Sequence, residues 1–287
     1  MIPAAFDYVV APSAEEAIGL LARYGDEAKI LAGGHSLVPM MKLRLASPKV
    51  LIDIGRIPNL AYIREEGGQI AIGALTTHHM LETSALLRQR LTALAEAAAT
   101  VGDAQVRSRG TLGGSVAHAD PAADLPAPVL ALEAEIVARG PSGQRSIRAD
   151  EFFVDLFTTA LDANELVTEV RFPVGARVGS SYQKFANKAS HFAIVGVAAA
   201  VELAANGTCQ RVVIGVTGAG PKAVRARAVE DALRGQVLSD DAVRAAADKA
   251  GDDVQPLGDL HGSAEYRLHL TQVLIRRAVR DAAARAR

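Results

Sequence analysis

The chain has 287 residues, with 31 basic and 32 acidic side chains and a formal net charge of −1. This balance argues against a nucleic-acid-binding protein that neutralises phosphates, and no run of about 18 apolar residues predicts a membrane-spanning helix. The N-terminus lacks a basic segment followed by an apolar run, so we expect a cytoplasmic protein without a secretion signal.

Apolar periodicity and turn residues predict a mixture of helices and strands in the first half of the chain. Ser13, followed three residues later by Glu16, is typical of a capping box that begins a helix, and Gly25 ends that helix. The elements predicted next are strands at 28–32, 50–54 and 69–75, a helix from Thr76 or Thr77 to Leu87, a helix at 91–101, and strands within 135–173.

A Gly-rich segment at 173–181 indicates a domain boundary, which we place after residue 176. Beyond it, two long apolar strands are joined by a predicted turn at Asn206-Gly207. The helices predicted to close the chain are 222–233, 240–250 and 264–286. We therefore expect an α+β protein, with an N-terminal domain at 1–176 and a C-terminal domain of antiparallel sheet and three helices at 177–287.

Two glycine pairs, Gly33-Gly34 and Gly113-Gly114, lie eighty residues apart in predicted loops. Glycine lets the backbone approach a ligand closely, and successive exposed N–H groups form a site for phosphate. Polar residues beside the pairs are His35, Ser36, Thr111 and Ser115. Each pair alone is also compatible with an ordinary tight turn, but two such loops can hold the two phosphates of a dinucleotide.

Other motifs are weaker. Ser36 and Ser115 each lie two residues after a glycine, but neither segment has the final glycine of a serine-hydrolase nucleophile elbow. The adjacent His78 and His79 lack the spacing of metal ligands on a helix, so we interpret them as a helix start. The single cysteine, Cys209, can neither form an internal disulfide nor hold an iron–sulfur cluster, which needs about four cysteine ligands.

Two carboxylates follow the second glycine pair. Asp120 and Asp124 flank Pro121, and as a catalytic acid–base pair they lack an obvious partner. They are better suited to accept hydrogen bonds from the hydroxyl groups of a sugar or ribityl chain. Farther along, His191 and Phe192 come directly before a predicted buried strand.

The segments AGGHSLVPMMKLRLASPKVLIDI and QVRSRGTLGGSVAHADPAADLP, which contain the glycine pairs, resemble the FAD-binding medium subunits of molybdenum hydroxylases. The resemblance covers essentially the whole chain. The family includes aerobic carbon monoxide dehydrogenases, quinoline and nicotine dehydrogenases, and the middle domain of xanthine dehydrogenase. It implies a two-subdomain FAD-binding domain of the vanillyl-alcohol-oxidase (PCMH) type, followed by a C-terminal domain of antiparallel sheet and helical bundle.

The resemblance also implies which residues contact FAD. Both glycine segments would cradle the pyrophosphate, and Asp124 would hydrogen-bond the ribityl or sugar hydroxyls with Asp120 nearby. The implied set is Ala32, Gly33, Gly34, His35, Ser36, Leu37, Thr111, Gly113, Gly114, Ser115, Ala117, Asp120, Asp124, Leu166, Lys184 and Phe192. No residue of this chain is assigned as catalytic; Phe192 and His191 are flavin-facing candidates, and His35 or His191 is a candidate for proton transfer.

Partner chains supply the remaining cofactors in this family. The resemblance implies a large molybdopterin subunit and a small subunit with two [2Fe–2S] clusters, assembled as a dimer of heterotrimers. Electrons would pass from a cluster through FAD to an external acceptor. A peripheral association of the complex with a quinone-reducing system is compatible with this route. No metal site is expected on this chain.

Three departures bear on the substrate. Phe192 stands where carbon monoxide dehydrogenases commonly carry Tyr or Trp, TLGGS replaces TIGGN, and NKASHFAIVGVA lacks the RKxGDYA pattern. We expect a carbon monoxide dehydrogenase-like subunit, with an N-heterocycle (quinoline- or nicotine-type) or aldehyde hydroxylase as the alternative. A non-catalytic assembly module that has lost flavin is the alternative of another class, and the intact glycines and Asp124 argue against it.

Overall fold

The computed structural model describes residues 2–175 and 178–286. The strands are β1 (Asp7–Val10), β2 (Ala28–Leu31), β3 (Val50–Asp53), β4 (Ile63–Glu66), β5 (Gln69–Gly73), β6 (Glu135–Gly140), β7 (Gly143–Arg148), β8 (Phe153–Asp155), β9 (Thr158–Thr159), β10 (Leu166–Pro173), β11 (Val178–Ala186), β12 (Ala193–Leu203), β13 (Cys209–Thr217) and β14 (Val224–Arg225). The helices are α1 (Ala14–Tyr24), α2 (Leu37–Lys42), α3 (His78–Thr83), α4 (Ala85–Arg90), α5 (Thr92–Thr100), α6 (Ala104–Arg109), α7 (Leu112–His118), α8 (Pro126–Ala131), α9 (Ala149–Phe152), α10 (Arg227–Leu233), α11 (Asp240–Ala247) and α12 (Ala264–Arg285).

The first subdomain is a small parallel sheet of order β1-β3-β2 with α1 packed against it. Ser13 caps α1 by accepting the N–H of Glu16, and Gly25 ends the helix at a φ of +51°, as the sequence predicted. Leu20 and Leu21 of α1 share a buried apolar cluster with Ile52 of the central strand. Burial of this helix face against the sheet therefore holds the first subdomain together.

The second subdomain is built on an antiparallel sheet of order β4-β5-β10-β6-β7. Its apolar face and the helices that cover it form a large cluster that includes the fully buried Phe152 and Phe172. The same cluster continues into the C-terminal sheet through Tyr182, Ala198 and Ala200. Helices α5 and α8 provide this connection, since α5 packs on β11 and α8 packs on β12 and β13.

The C-terminal sheet is antiparallel, of order β11-β12-β13-β14, with the predicted turn at Asn206-Gly207 between β12 and β13. Helix α12 packs on β11 and β12, and α10 packs on β13. The α+β class is therefore as predicted. The predicted domain boundary, between residues 176 and 177, lies outside the described residues; β10 ends at Pro173 and β11 begins at Val178.

Several predicted element bounds are wrong. The helix expected from Thr77 to Leu87 is two helices, because Ser84 leaves the helical conformation and caps α4 by accepting the N–H of Leu87. The helix expected from Lys222 begins only at Arg227, because Val224 and Arg225 form β14 and pair with β13.

Two segments rich in small residues are more ordered than predicted. The Gly-rich segment at 173–181 includes the start of β11, where the buried hydroxyl of Ser180 accepts the N–H of Ala93. The second glycine pair lies not in a loop but in the first turn of α7, where the Thr111 hydroxyl accepts the N–H of Gly114. Tertiary hydrogen bonds and capping outweigh the low intrinsic propensity of these residues.

Among the described residues, no helix has both the length and the apolar character needed to cross a bilayer.

We expect Cys209 to be inert in the folded protein. The residue is fully buried at the start of β13, and burial raises the pKa of its thiol to about 11. A chromogenic disulfide reagent at pH 8 should therefore find no reactive thiol until denaturant is added, and then one thiol per chain. Rapid reaction of the native protein would contradict this burial.

Candidate functional site

The two glycine segments meet backbone to backbone. Gly33 follows β2 and lies against the residues that join α6 to α7. A Cβ at Gly33 would overlap the carbonyl oxygen of Arg109 and lie 2.9 Å from the Cα of Gly110. Only glycine fits there, so the absence of a side chain at Gly33 permits the first subdomain to contact the second at this point.

The backbone N–H groups of the two segments differ in their partners. In the second segment the N–H of Gly113 donates to the carbonyl of Ala74 (2.9 Å), and that of Gly114 donates to the Thr111 hydroxyl (3.1 Å). Within the described residues, N–H groups without a hydrogen-bond partner include those of Gly34, His35 and Ser36. The first segment therefore offers backbone N–H donors. The second segment is closely packed instead, since a Cβ at Gly113 would lie 2.5 Å from that of Ala74.

His78 lies next to the contact between the two glycine segments. Its backbone N–H donates to the carbonyl of Gly110 (2.9 Å), and a Cβ at Gly110 would lie 2.7 Å from its ring. The side chain is 6% exposed, and its Nδ1 has no partner among the described residues. Burial, with smaller contributions from nearby His35 and Arg107, lowers the pKa of His78 to about 4. The interpretation as a helix start is confirmed, since Thr77 caps α3, but the sequence did not indicate the burial of His78.

The low pKa of His78 predicts a loss of stability in mild acid. Between pH 6.5 and about 4 the unfolded chain binds a proton at His78 and the folded chain does not, so stability falls as the pH drops through this window. The expected loss is about 3 kcal/mol. Urea unfolding of His78→Gln across this range should show a correspondingly smaller pH dependence. His79→Gln, at the exposed neighbouring histidine, should retain the wild-type slope, and equal slopes in all three proteins would contradict the assignment.

Asp124 and Lys184 form a buried ion pair. The carboxylate of Asp124 is 6% exposed; its Oδ2 accepts from Lys184 Nζ (2.8 Å), and its Oδ1 accepts from the hydroxyl of Tyr182 (2.7 Å). Lys184 Nζ also donates to the carbonyl of Thr100 (3.0 Å). Burial raises the pKa of Asp124, while Lys184 and Tyr182 oppose that rise. The structure thus brings together Asp124 and Lys184, which lie sixty positions apart in the sequence. It also places Tyr182, which the sequence did not predict as a site residue, against the same carboxylate.

Asp120 has a different environment from Asp124. Its Oδ1 accepts the N–H of Ala122, which forms a local turn. Asp120 also lines a cavity of about 360 Å³, together with Asn187 and the half-exposed Phe192. Among the described residues, the two carboxylates therefore share no hydrogen-bond partner.

The segment before β12 holds Phe192 at the edge of this cavity. His191 has a φ of +59°, and its side chain packs against Gly102, where a Cβ would lie 2.5 Å from the His191 Cβ. The N–H of Asn187 donates to the carbonyl of Phe192 (2.9 Å) and closes the turn. This turn therefore holds Phe192 at the edge of the cavity and His191 against Gly102.

The other predicted residues have varied surroundings. His35, Ser36 and Ala117 are exposed, and Ala117 lies one turn after Gly114 on α7. Leu166 is 6% exposed and packs in the apolar cluster of the first subdomain. The structure gives Leu166 a packing role, and its proximity to a flavin stays a prediction.

Two family matches divide the chain between them. Residues 4–175 match the family described as the FAD binding domain in molybdopterin dehydrogenase, and residues 180–282 match the CO dehydrogenase flavoprotein C-terminal domain. The chain belongs to the FAD-binding medium subunits of the molybdenum hydroxylases. The predicted fold class, the oxidoreductase class and the FAD cofactor are thereby confirmed.

Relatives of this medium subunit belong to enzymes named for chemically different substrates. The carbon monoxide dehydrogenase medium chain of Hydrogenophaga pseudoflava is 43% identical over 99% of both chains. Subunit alpha of the 6-hydroxypseudooxynicotine dehydrogenase complex of Paenarthrobacter nicotinovorans is also 43% identical, over 100% of this chain and 97% of its own. A solved structure of the Hydrogenophaga pseudoflava carbon monoxide dehydrogenase matches with a TM-score of 0.96 at 45% identity, over 99% of both chains.

Proposed function

We propose that this medium subunit binds FAD where its two glycine segments meet and serves a carbon monoxide dehydrogenase-like molybdenum hydroxylase. The contact of Gly33 with Arg109 and Gly110 carries the proposal, because it leaves backbone, rather than side chains, at the junction. Bound FAD would accept electrons from [2Fe–2S] clusters on a partner chain and pass them to an external acceptor.

The polar groups of the site fit the parts of this cofactor. The N–H groups of Gly34, His35 and Ser36 would donate to the pyrophosphate, and the hydroxyls of Thr111 and Ser115 would add polar groups from the second segment. Ala32, Leu37, Gly113, Gly114 and Ala117 complete the walls of this cradle.

The remaining groups would contact the ribityl chain and the ring. Asp124, held by Lys184, would accept from the ribityl or sugar hydroxyls, with Asp120 nearby. Phe192 and Leu166 would provide apolar contacts to the isoalloxazine, and His35 or His191 would take part in proton transfer at the flavin. We propose the domain division at 176/177 on the same basis, with the second domain supplying Lys184 and Phe192.

Membership of the family supports a proposal for the partners of this chain. We propose a large molybdopterin subunit and a small [2Fe–2S] subunit, assembled as a dimer of heterotrimers in the cytoplasm, with electrons passing to an acceptor such as a membrane-associated quinone-reducing system. The 43% identity to the 6-hydroxypseudooxynicotine dehydrogenase subunit supports an N-heterocycle hydroxylase as the second candidate.

The visible absorption spectrum of the complex tests the function. The medium subunit should be purified with its co-expressed partners, and denaturation should release one FAD per medium chain. A complex without flavin would favour the assembly-module alternative. With flavin present, anaerobic addition of carbon monoxide should bleach its absorbance; bleaching only by an N-heterocycle would favour the second candidate.

A further inference from the structure

The carboxylate of Asp124 takes its side-chain hydrogen bonds from the other domain. Asp124 lies between α7 and α8 in the N-terminal part, whereas Tyr182 and Lys184 lie on β11 of the C-terminal sheet. Residues two apart on a strand point to the same face, so β11 presents the phenol and the ammonium side by side. Each of them binds a different carboxylate oxygen.

The position of the Tyr182 hydroxyl is fixed by its surroundings. Tyr182 is 5% exposed, and its backbone N–H donates to Glu96 on α5 (2.8 Å). A Cβ at Gly196, on the neighbouring strand, would overlap the phenol oxygen and lie 3.0 Å from its Cζ. Glycine at this position leaves the space that the phenol occupies. Burial, together with Asp124, keeps the pKa of Tyr182 well above 10, so the hydroxyl remains a donor.

We propose that Tyr182 is a positioning residue of the flavin site, whose hydroxyl fixes the orientation of the Asp124 carboxylate so that its free lone pairs face the cofactor hydroxyls. The inference rests on the proposed function, in which Asp124 contacts FAD. An ammonium group attracts a carboxylate with little directional preference, whereas a phenol fixes one oxygen along one line. Lys184 therefore balances the charge of the Asp124 carboxylate, and Tyr182 fixes the orientation of that carboxylate.

The same contact has a consequence for pH dependence. The charged or titratable groups that act on Asp124 are Lys184 and Tyr182, while Glu96 is engaged at the backbone of Tyr182 and pairs with Arg285 (2.7 Å). Removing the phenol hydroxyl removes an interaction that favours the ionised carboxylate. Protonation of Asp124 then begins at a higher pH, so FAD affinity should start to fall at a higher pH as the solution is acidified.

The test is Tyr182→Phe in the full chain, purified with its partner subunits, stripped of flavin and titrated with FAD. We expect affinity to be about tenfold weaker at pH 7, the loss of one hydrogen bond to a charged group, and the acid limb of the affinity profile to move to higher pH. Tyr62→Phe is the matched control, because Tyr62 also donates to a carboxylate, that of Glu169, at another place in the fold. It should leave affinity within about twofold.

Asp124→Asn separates the inference from the proposed function. Unchanged affinity in Asp124→Asn would overturn the Asp124 contact itself. If Asp124→Asn weakens binding, Tyr182→Phe should add no further loss in that background, because the phenol acts through the carboxylate. An equal loss in both backgrounds, an unmoved acid limb, or a Tyr182→Phe chain that fails to fold would give Tyr182 only a structural role and overturn the proposal.

Discussion

An alanine at Gly33 should weaken FAD binding by about ten- to a hundredfold. Its Cβ would lie 2.8 Å from the carbonyl carbon of Arg109 and 2.9 Å from the Cα of Gly110. These neighbours are backbone and cannot rotate away, so one segment must shift, and overpacking of this kind costs about 1–3 kcal/mol. Because the shift displaces the backbone donors of the first segment, the loss should appear in affinity as well as in stability. Quenching of flavin fluorescence during titration measures it.

Gly19→Ala is the control for this substitution. Gly19 lies within α1, and beyond its chain neighbours and the helix's own backbone no atom of the described residues comes within 4 Å of a Cβ built there. Alanine is favoured over glycine in a helix by about 1 kcal/mol, so this variant should be slightly more stable and bind FAD normally. Wild-type affinity and melting temperature in Gly33→Ala would refute the backbone contact.

Lys184→Met should lower the free energy of unfolding by about 3–5 kcal/mol at neutral pH, because it leaves the Asp124 carboxylate buried without a cation. The lysine and aspartate side chains are 5% and 6% exposed, so solvent cannot replace the partner. Without Lys184, the pKa of Asp124 should rise further in the folded chain. A raised folded-state pKa of an acid removes stability as the pH rises through it, so the difference from wild type should shrink on acidification. Urea unfolding at several pH values measures both effects.

Lys49→Met provides the comparison. Lys49 pairs with Glu27 at the surface, with side chains 72% and 54% exposed, and its loss should cost less than ~1 kcal/mol at any pH. If Lys184→Met and Lys49→Met were equally mild, the Asp124 pair would have to be more hydrated than its burial indicates.

The sequence predicted the features that depend on local chemistry. The glycine pairs could be recognised because paired glycines beside hydroxyl groups and a histidine predict a phosphate site. The structure places Gly33 against the start of the second segment. The cap at Ser13 and the turn at Asn206-Gly207 were also predicted from residues close together in the sequence. Such elements need no knowledge of distant parts of the chain.

Features that depend on distant contacts were missed. Tyr182 lies 58 residues from Asp124, so nothing near it in sequence indicates a carboxylate partner. The sequence does not show which of the adjacent His78 and His79 is buried. In the structure Gly110 packs onto the ring of the buried His78, whereas His79 is exposed. Two adjacent glycines predict a loop, yet the cap at Thr111 supports a helix there.

The apolar cluster that runs from the second subdomain into the C-terminal sheet limits how this chain can be recombined. Tyr182, Ala198 and Ala200 pack with helices that precede the boundary, so the two family segments are not interchangeable modules. A chimera could combine the N-terminal segment of one relative with the C-terminal segment of another. It would then bring together apolar surfaces that come from different proteins. We therefore expect such a chimera to pack this interior less well than either parent chain, although the family matches divide the sequence cleanly.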